Sequence, residues 1–92
     1  MVKKIGELSL GDIASVVARA LVDDPDSLHV REQATDNTVL IEITVPEAEA
    51  GRVIGRQGRS INALRHLLRA AQARHDEQTR VNIEVLSMPA TV

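Results

Sequence analysis

The chain has no Phe, Tyr or Trp in its 92 residues. Modules that stack nucleobases on a sheet need aromatic rings, so that mode of recognition is excluded. It has no Cys either, which removes disulfides and thiolate metal sites. No apolar run approaches the roughly 20 residues a membrane helix needs. The basic start Met1-Val2-Lys3-Lys4 meets Glu7 with no signal-type apolar stretch behind it. These absences predict a soluble, cytoplasmic protein. The length fits a single domain, residues 1–92, with a limited core and modest stability.

The formal net charge of -2 argues against a polyanionic partner when taken as a sum. The charges are segregated, however. Glu7, Asp12, Asp23, Asp24, Asp26, Glu32, Asp36, Glu42, Glu47 and Glu49 precede residue 50. Between Gly51 and Arg80 the chain carries Arg52, Arg56, Arg59, Arg65, Arg69, Arg74 and Arg80 against only Asp76 and Glu77. Local field, not net charge, governs docking on one surface. On charge alone, a solvated helix face is still the better reading.

Periodicity gives an order of elements. Ser9 is a natural N-cap with Asp12 completing a capping box, and Leu8 and Ile13 occupy the staple positions. Leu10, Ile13, Val17, Ala20 and Leu21 then recur at helical spacing until Pro25. Leu28–Glu32 and Thr38–Val45 read as strands around a turn at Asp36-Asn37, with Val39, Ile41, Ile43 and Val45 on one face. Pro46 suits the first position of a short helix reaching Val53 or Ile54. A longer helix is predicted from Arg59 to Arg74, with Ile61, Leu64, Leu68 and Ala71 as its buried stripe. A last strand runs from Arg80 to Leu86. The predicted fold is α+β: helix, strand, strand, helix, helix, strand, with helices covering one face of a three-stranded sheet.

Gly51, Gly55 and Gly58 crowd into one short stretch. A dinucleotide-binding turn needs another glycine spacing and a preceding strand, and a P-loop needs Gly-Lys-Ser/Thr. Neither fits Gly58-Arg59-Ser60. The remaining reading is an interhelical G-x-x-G bend, Gly55-Arg56-Gln57-Gly58. Glycines there permit a sharp turn and the close approach of a phosphate. The next helix adds free backbone amides and a positive dipole end. Arg56 supplies charge and Gln57 a neutral donor. Such a cradle holds a sugar-phosphate backbone without itself reading bases.

Val53-Ile54-Gly55-Arg56-Gln57-Gly58-Arg59, followed by a basic amphipathic helix, resembles the core of KH domains. The element order resembles the prokaryotic, type II arrangement. The size, with Ala63-Leu64-Arg65 and Arg69-Ala70-Ala71, resembles the small bacterial KhpA family over roughly residues 9–86. Arg56 departs from the Lys that family often carries, exchanging a point charge for a planar fork.

The resemblance implies a groove for about four nucleotides of single-stranded RNA. It places the bend and its helices on one wall and the strand around Val39 to Ile43 on the other. Gly55 and Gly58 would shape the loop; Arg56, Gln57 and Arg59 would contact phosphates. Arg52, Arg65 and Arg69 either extend the positive rim or are solvated surface arginines. Val53, Ile54, Ile61 and Leu64 are candidates for an apolar floor, with ordinary core the better reading for Ile54 and Leu64. Backbone groups of the strand would meet base edges. The resemblance further implies a post-transcriptional or RNA-chaperone role linked to cell shape. The expected partners are RNA and either a second copy or a larger KH-containing protein. No cofactor, metal, membrane or small-molecule substrate is expected. A protein–protein adaptor and a single-stranded DNA binder remain as alternatives. An enzyme is remote, because no catalytic constellation accompanies the glycine loop.

Overall fold

A computed structural model describes residues 9–75 and 78–89 of the chain. Ser9 opens helix α1, Leu10–Leu21, through a reciprocal cap. Its hydroxyl accepts from the Asp12 amide at 3.1 Å, and the Asp12 carboxylate accepts from the Ser9 amide at 3.1 Å. Two donors that a helix start leaves unsatisfied are thereby paired. The companion staple residue, Leu8, lies outside the described residues.

A 3-10 turn at Pro25–Ser27, absent from the sequence reading, leads into strand β1, His29–Ala34. Strand β2, Thr38–Pro46, pairs antiparallel with β1 across the Asp36-Asn37 turn, where the Thr35 amide donates to the Thr38 carbonyl at 2.9 Å. Helix α2, Glu47–Ile54, and helix α3, Arg59–Ala73, flank a single tight turn, Arg56–Gly58. Strand β3, Arg80–Met88, then pairs parallel with β2, Thr38 opposite Arg80 and Pro46 opposite Met88. The sheet order is β1-β2-β3, so β2 is central and β3 is an edge.

One row of strand side chains, Ile41, Ile43, Val45, Val81 and Ile83, is buried with the helices' Ala14, Ala18, Val53, Leu64 and Leu68. All three helices therefore cover the same face, as the alternation predicts. Burying each large aliphatic side chain is worth about 1.5–3 kcal/mol. Leu28, placed in a strand by the sequence, precedes β1 and plugs the core at 1% exposure.

Two expectations need correction. The inner row of α1 is Leu10, Gly11, Ala14 and Ala18. Ile13, Val17 and Leu21 are only half-buried and Ala20 is exposed. Small residues let α1 lie close to its neighbours, and the bulkier Ile13 and Val17 then seal the margin of the core. Pro46 is the N-cap of α2, not its first helical residue; it ends β2 in an extended conformation, φ -57° and ψ 147°.

Candidate nucleic-acid interface

The bend between α2 and α3 is built from unusual backbone angles. Gly55 sits at φ 79°, ψ 169°, and its amide closes α2 on the Gly51 carbonyl at 2.9 Å. Gln57 (φ 58°, ψ 25°) and Gly58 (φ 76°, ψ 15°) are both left-handed. That conformation costs a non-glycine residue on the order of 1–2 kcal/mol. A Cβ on Gly55 would stand 2.5 Å from Ser60 Oγ and 2.8 Å from the Ser60 backbone nitrogen. On Gly58 it would meet nothing closer than 3.5 Å. Gly55 therefore makes the approach of α2 to α3 possible, and Gly58 turns the chain into α3.

Some of the expected amides are already used. Gly58 donates to the Gly55 carbonyl at 3.1 Å, and the Arg59 amide donates to the Arg56 carbonyl. What the bend presents is side-chain charge ahead of a helix start that has neither a side-chain cap nor an acidic residue in its first turn. Arg56, Gln57 and Arg59 are exposed, and among the described residues the side chains of Arg56 and Arg59 engage no partner.

The other arginines are occupied to different degrees. Arg52 is drawn into an acidic corner: its guanidinium lies 3.0 Å from Asp23 Oδ2 and 3.2 Å from Glu49 Oε1. Glu49 is buried and also accepts from the backbone amides of Asp24 at 2.9 Å and Asp23 at 3.3 Å. The Asp24 amide above all holds the Glu49 carboxyl below its ordinary value; burial opposes this, and the Asp23 amide and Arg52 add to it. Arg52 is thus a tie between α2 and the end of α1, a role its sequence position did not disclose. Arg65 donates to Asn62 Oδ1 at 2.5 Å, and Arg69 Nε donates to the Val81 carbonyl at 3.4 Å.

The candidate floor divides. Val53, Ile61 and Leu64 are core residues at 1%, 9% and 2% exposure, whereas Ile54 is at the surface at 38%. Three of the four are therefore spent on packing, and only Ile54 offers an apolar contact beside the bend.

The wall around Val39 to Ile43 also needs correction. That segment is the centre of the sheet, hydrogen-bonded to strands on both sides, with Ile41 and Ile43 buried. Its backbone has nothing left to offer a ligand. Of the two edge strands, β1 and β3, the one beside α3 is β3. The Arg80 amide donates inward to the Asn37 carbonyl at 2.7 Å. Because backbone groups alternate sides along a strand, Val81, Ile83 and Val85 aim theirs outward. The Arg69 bond to Val81 shows that this edge faces α3, and Arg65 and Ile83 line one shared hollow. The Arg65 and Arg69 side of α3 thus lies beside the β3 edge. Strand alternation was legible in the sequence; strand order was not.

Helix, strand, strand, helix, helix and strand, with a glycine-flanked bend joining the last two helices, make the architecture of a type II KH domain. Residues 12–83 match the family described as KhpA/KhpB, KH domain, and the chain belongs to that family. Relatives named RNA-binding protein KhpA include one from Caldanaerobacter subterraneus, 38% identical over 77 residues, covering 84% of this chain and 100% of the relative. The Aquifex aeolicus relative is 42% identical over 78 residues, covering 85% and 96%. That from Chlamydia trachomatis is 32% identical over 75 residues, covering 82% and 94%. The family is one of binding domains, not enzymes. Among solved structures, Era from Aquifex aeolicus bound to GDP and AlF4- superposes with a TM-score of 0.68 at 17% identity over 87% of this chain. Era in complex with MgGDPNP and nucleotides 1506-1542 of 16S ribosomal RNA gives 0.65 at 20% over 90%. The chain spans about a third of Era, 31% and 33% of those chains, and the likeness is one of fold.

Proposed function

We propose that the protein binds single-stranded RNA, holding about four nucleotides between the Gly55–Gly58 bend, α3 and the edge of β3. The observation that carries this is the bend itself: an exposed turn at an uncapped helix start, with Arg56 and Arg59 whose side chains engage no partner among the described residues. The names of the relatives support the same ligand. Phosphates sit against Gly55-Arg56-Gln57-Gly58 and Arg59. Arg65 lines the groove and Ile54 offers an apolar surface. Outward backbone groups of β3 meet base edges. With about three phosphates neutralised, the salt slope for a single strand is about -2.

The test replaces Arg56 and Gln57 together with Asp and measures oligoribonucleotide binding. We expect affinity to fall about tenfold or more as the phosphate contacts are lost, with the melting temperature nearly unchanged because both side chains are exposed. Undiminished binding would overturn the assignment. The same titration with DNA of matching sequence separates RNA from single-stranded DNA.

So short a footprint gives affinity on the order of micromolar, and two linked sites would raise it. The α1–α3 face favours association: Leu67, 49% exposed, lines an apolar hollow of about 230 Å³ together with Val17, Leu21 and Leu64. We assign this face to a second copy or to a larger KH-containing partner, in keeping with a post-transcriptional or RNA-chaperone role. A strict monomer by light scattering at tens of micromolar, on the affinity scale of such contacts, would remove the homodimer.

A further inference from the structure

The sheet face turned away from the helices carries a second site. Register places Gln33 of β1 opposite Leu40 of β2, and Leu40 opposite Asn82 of β3. An amide, an aliphatic side chain and an amide thus stand in one row across the three strands. The next row sets Arg31 opposite Glu42 and Glu42 opposite Glu84. A hollow of about 520 Å³ lies over these residues, lined by Gln33, Thr38, Leu40, Asn82, Glu84 and, from α3, Arg65. Its volume falls within the range of small-ligand sites, roughly 300–1,000 Å³. Ile83, whose backbone faces the groove, lines it as well. The hollow is therefore continuous with the groove across the width of β3, one strand spacing of about 4.8 Å.

We propose that this hollow receives the base of a nucleotide flanking the segment held at the bend, and that it favours bases bearing an exocyclic amine. The inference rests on the RNA-groove reading above. Half-buried Leu40 offers a ring face an apolar floor. The Gln33 amide offers its N–H donors, its oxygen accepting from the Arg31 guanidinium; the Asn82 amide carries a donor and an acceptor, and Thr38 adds a hydroxyl. Glu84 is an acceptor only; Glu42 beside it stands opposite Arg31, so Glu84 is the carboxylate that lines the hollow. The Glu84 carboxylate accepts from the exocyclic N–H donors of adenine, cytosine or guanine. Uracil has no exocyclic amine and gains least. The phosphodiester stays at the rim, where Arg65 and Arg80 stand; Arg80 is exposed on the same face as Asn82.

The experiment titrates the full chain with tetra-adenylate, hexa-adenylate and tetra-adenylate extended at either end by two uridines. Asn82→Ala and Glu84→Gln are titrated beside the unaltered protein, and far-UV circular dichroism checks each fold. We expect Asn82→Ala to leave tetra-adenylate affinity unchanged and to weaken hexa-adenylate about fivefold, the loss of roughly one hydrogen bond. Glu84→Gln should narrow the preference for adenine over uridine extensions. Leu40 methyl resonances should shift with hexa-adenylate and not with tetra-adenylate. An Asn82→Ala loss that is equal for both lengths, or a still Leu40 resonance, overturns the second site while leaving the groove in place. Failure of the unaltered chain to bind either oligomer defeats the groove reading, and this one with it.

Discussion

Gly55 and Gly58 belong to one short motif, yet the structure gives them unequal tasks, and that inequality is measurable. Alanine at Gly55 must adopt φ 79°, ψ 169°, a region that is essentially glycine-only and costs of order 1–3 kcal/mol. Its Cβ would also stand 2.5 Å from Ser60 Oγ, 2.8 Å from Ser60 N and 2.9 Å from Ser60 Cβ. The hydroxyl can rotate away, but the backbone nitrogen is fixed in the first turn of α3. Overpacking against fixed atoms adds about 1–3 kcal/mol, so Gly55→Ala should destabilise by on the order of 3 kcal/mol. Gly58→Ala meets only Asn62 Nδ2 at 3.5 Å and an Ile61 methyl at 3.9 Å, leaving a left-handed penalty of about 1–2 kcal/mol. For a domain of this size each kcal/mol moves the melting temperature by about 4–8 °C. With no aromatic residue in the chain, intrinsic fluorescence is silent, and unfolding is best followed by circular dichroism. Adding Ser60→Ala to Gly55→Ala should recover only a fraction of the loss, since the nitrogen contact stays. Equal destabilisation by Gly55→Ala and Gly58→Ala, or full rescue by Ser60→Ala, would refute the geometry of the bend.

Gln57 at φ 58° already bears the left-handed penalty of a non-glycine residue, and a β-branched residue fits there worst, so Gln57→Val should lower the melting temperature while Gln57→Asn stays near neutral in the same melts. The Glu49 carboxyl is lowered below 4.5 in the folded chain, so its contribution is fully present above that value and is lost as pH falls through the lowered folded value. Glu49→Gln should therefore lower the melting temperature at pH 7 and flatten its decline below pH 4.5; parallel declines in the two proteins would count against this role. Leu68 is fully buried and Leu67 is half exposed. Leu68→Ala should cost about 2–5 kcal/mol. Leu67→Ala should cost little, and its effect should appear in light scattering.

What could be read from the sequence was local. Ser9 with Asp12, the alternation of Val39 to Val45, and the glycines ahead of Arg59 each carry their structural meaning within a few residues, and the predicted element order follows from them. What could not be read depends on neighbours far along the chain. Nothing near Arg52 announces Asp23 as a partner. The alanines of α1 look like filler until a sheet is brought against them, which is why a stripe of larger residues was expected in their place. The resemblance places the opposite wall of the groove at Val39 to Ile43, but that segment belongs to the central strand, whose backbone is consumed on both sides. The edge beside α3 belongs to β3, and only the strand order reveals it.

The main chain of β3 at Val81, Ile83 and Val85 has an evolutionary corollary. A hydrogen-bonding surface made of peptide groups keeps its chemistry when one aliphatic residue replaces another, so the core beneath is free to drift while the surface above stays constant. Proline is the one replacement that deletes a donor outright. Selection against a single residue type along an otherwise permissive strand is the trace that a recognition surface made of backbone would leave.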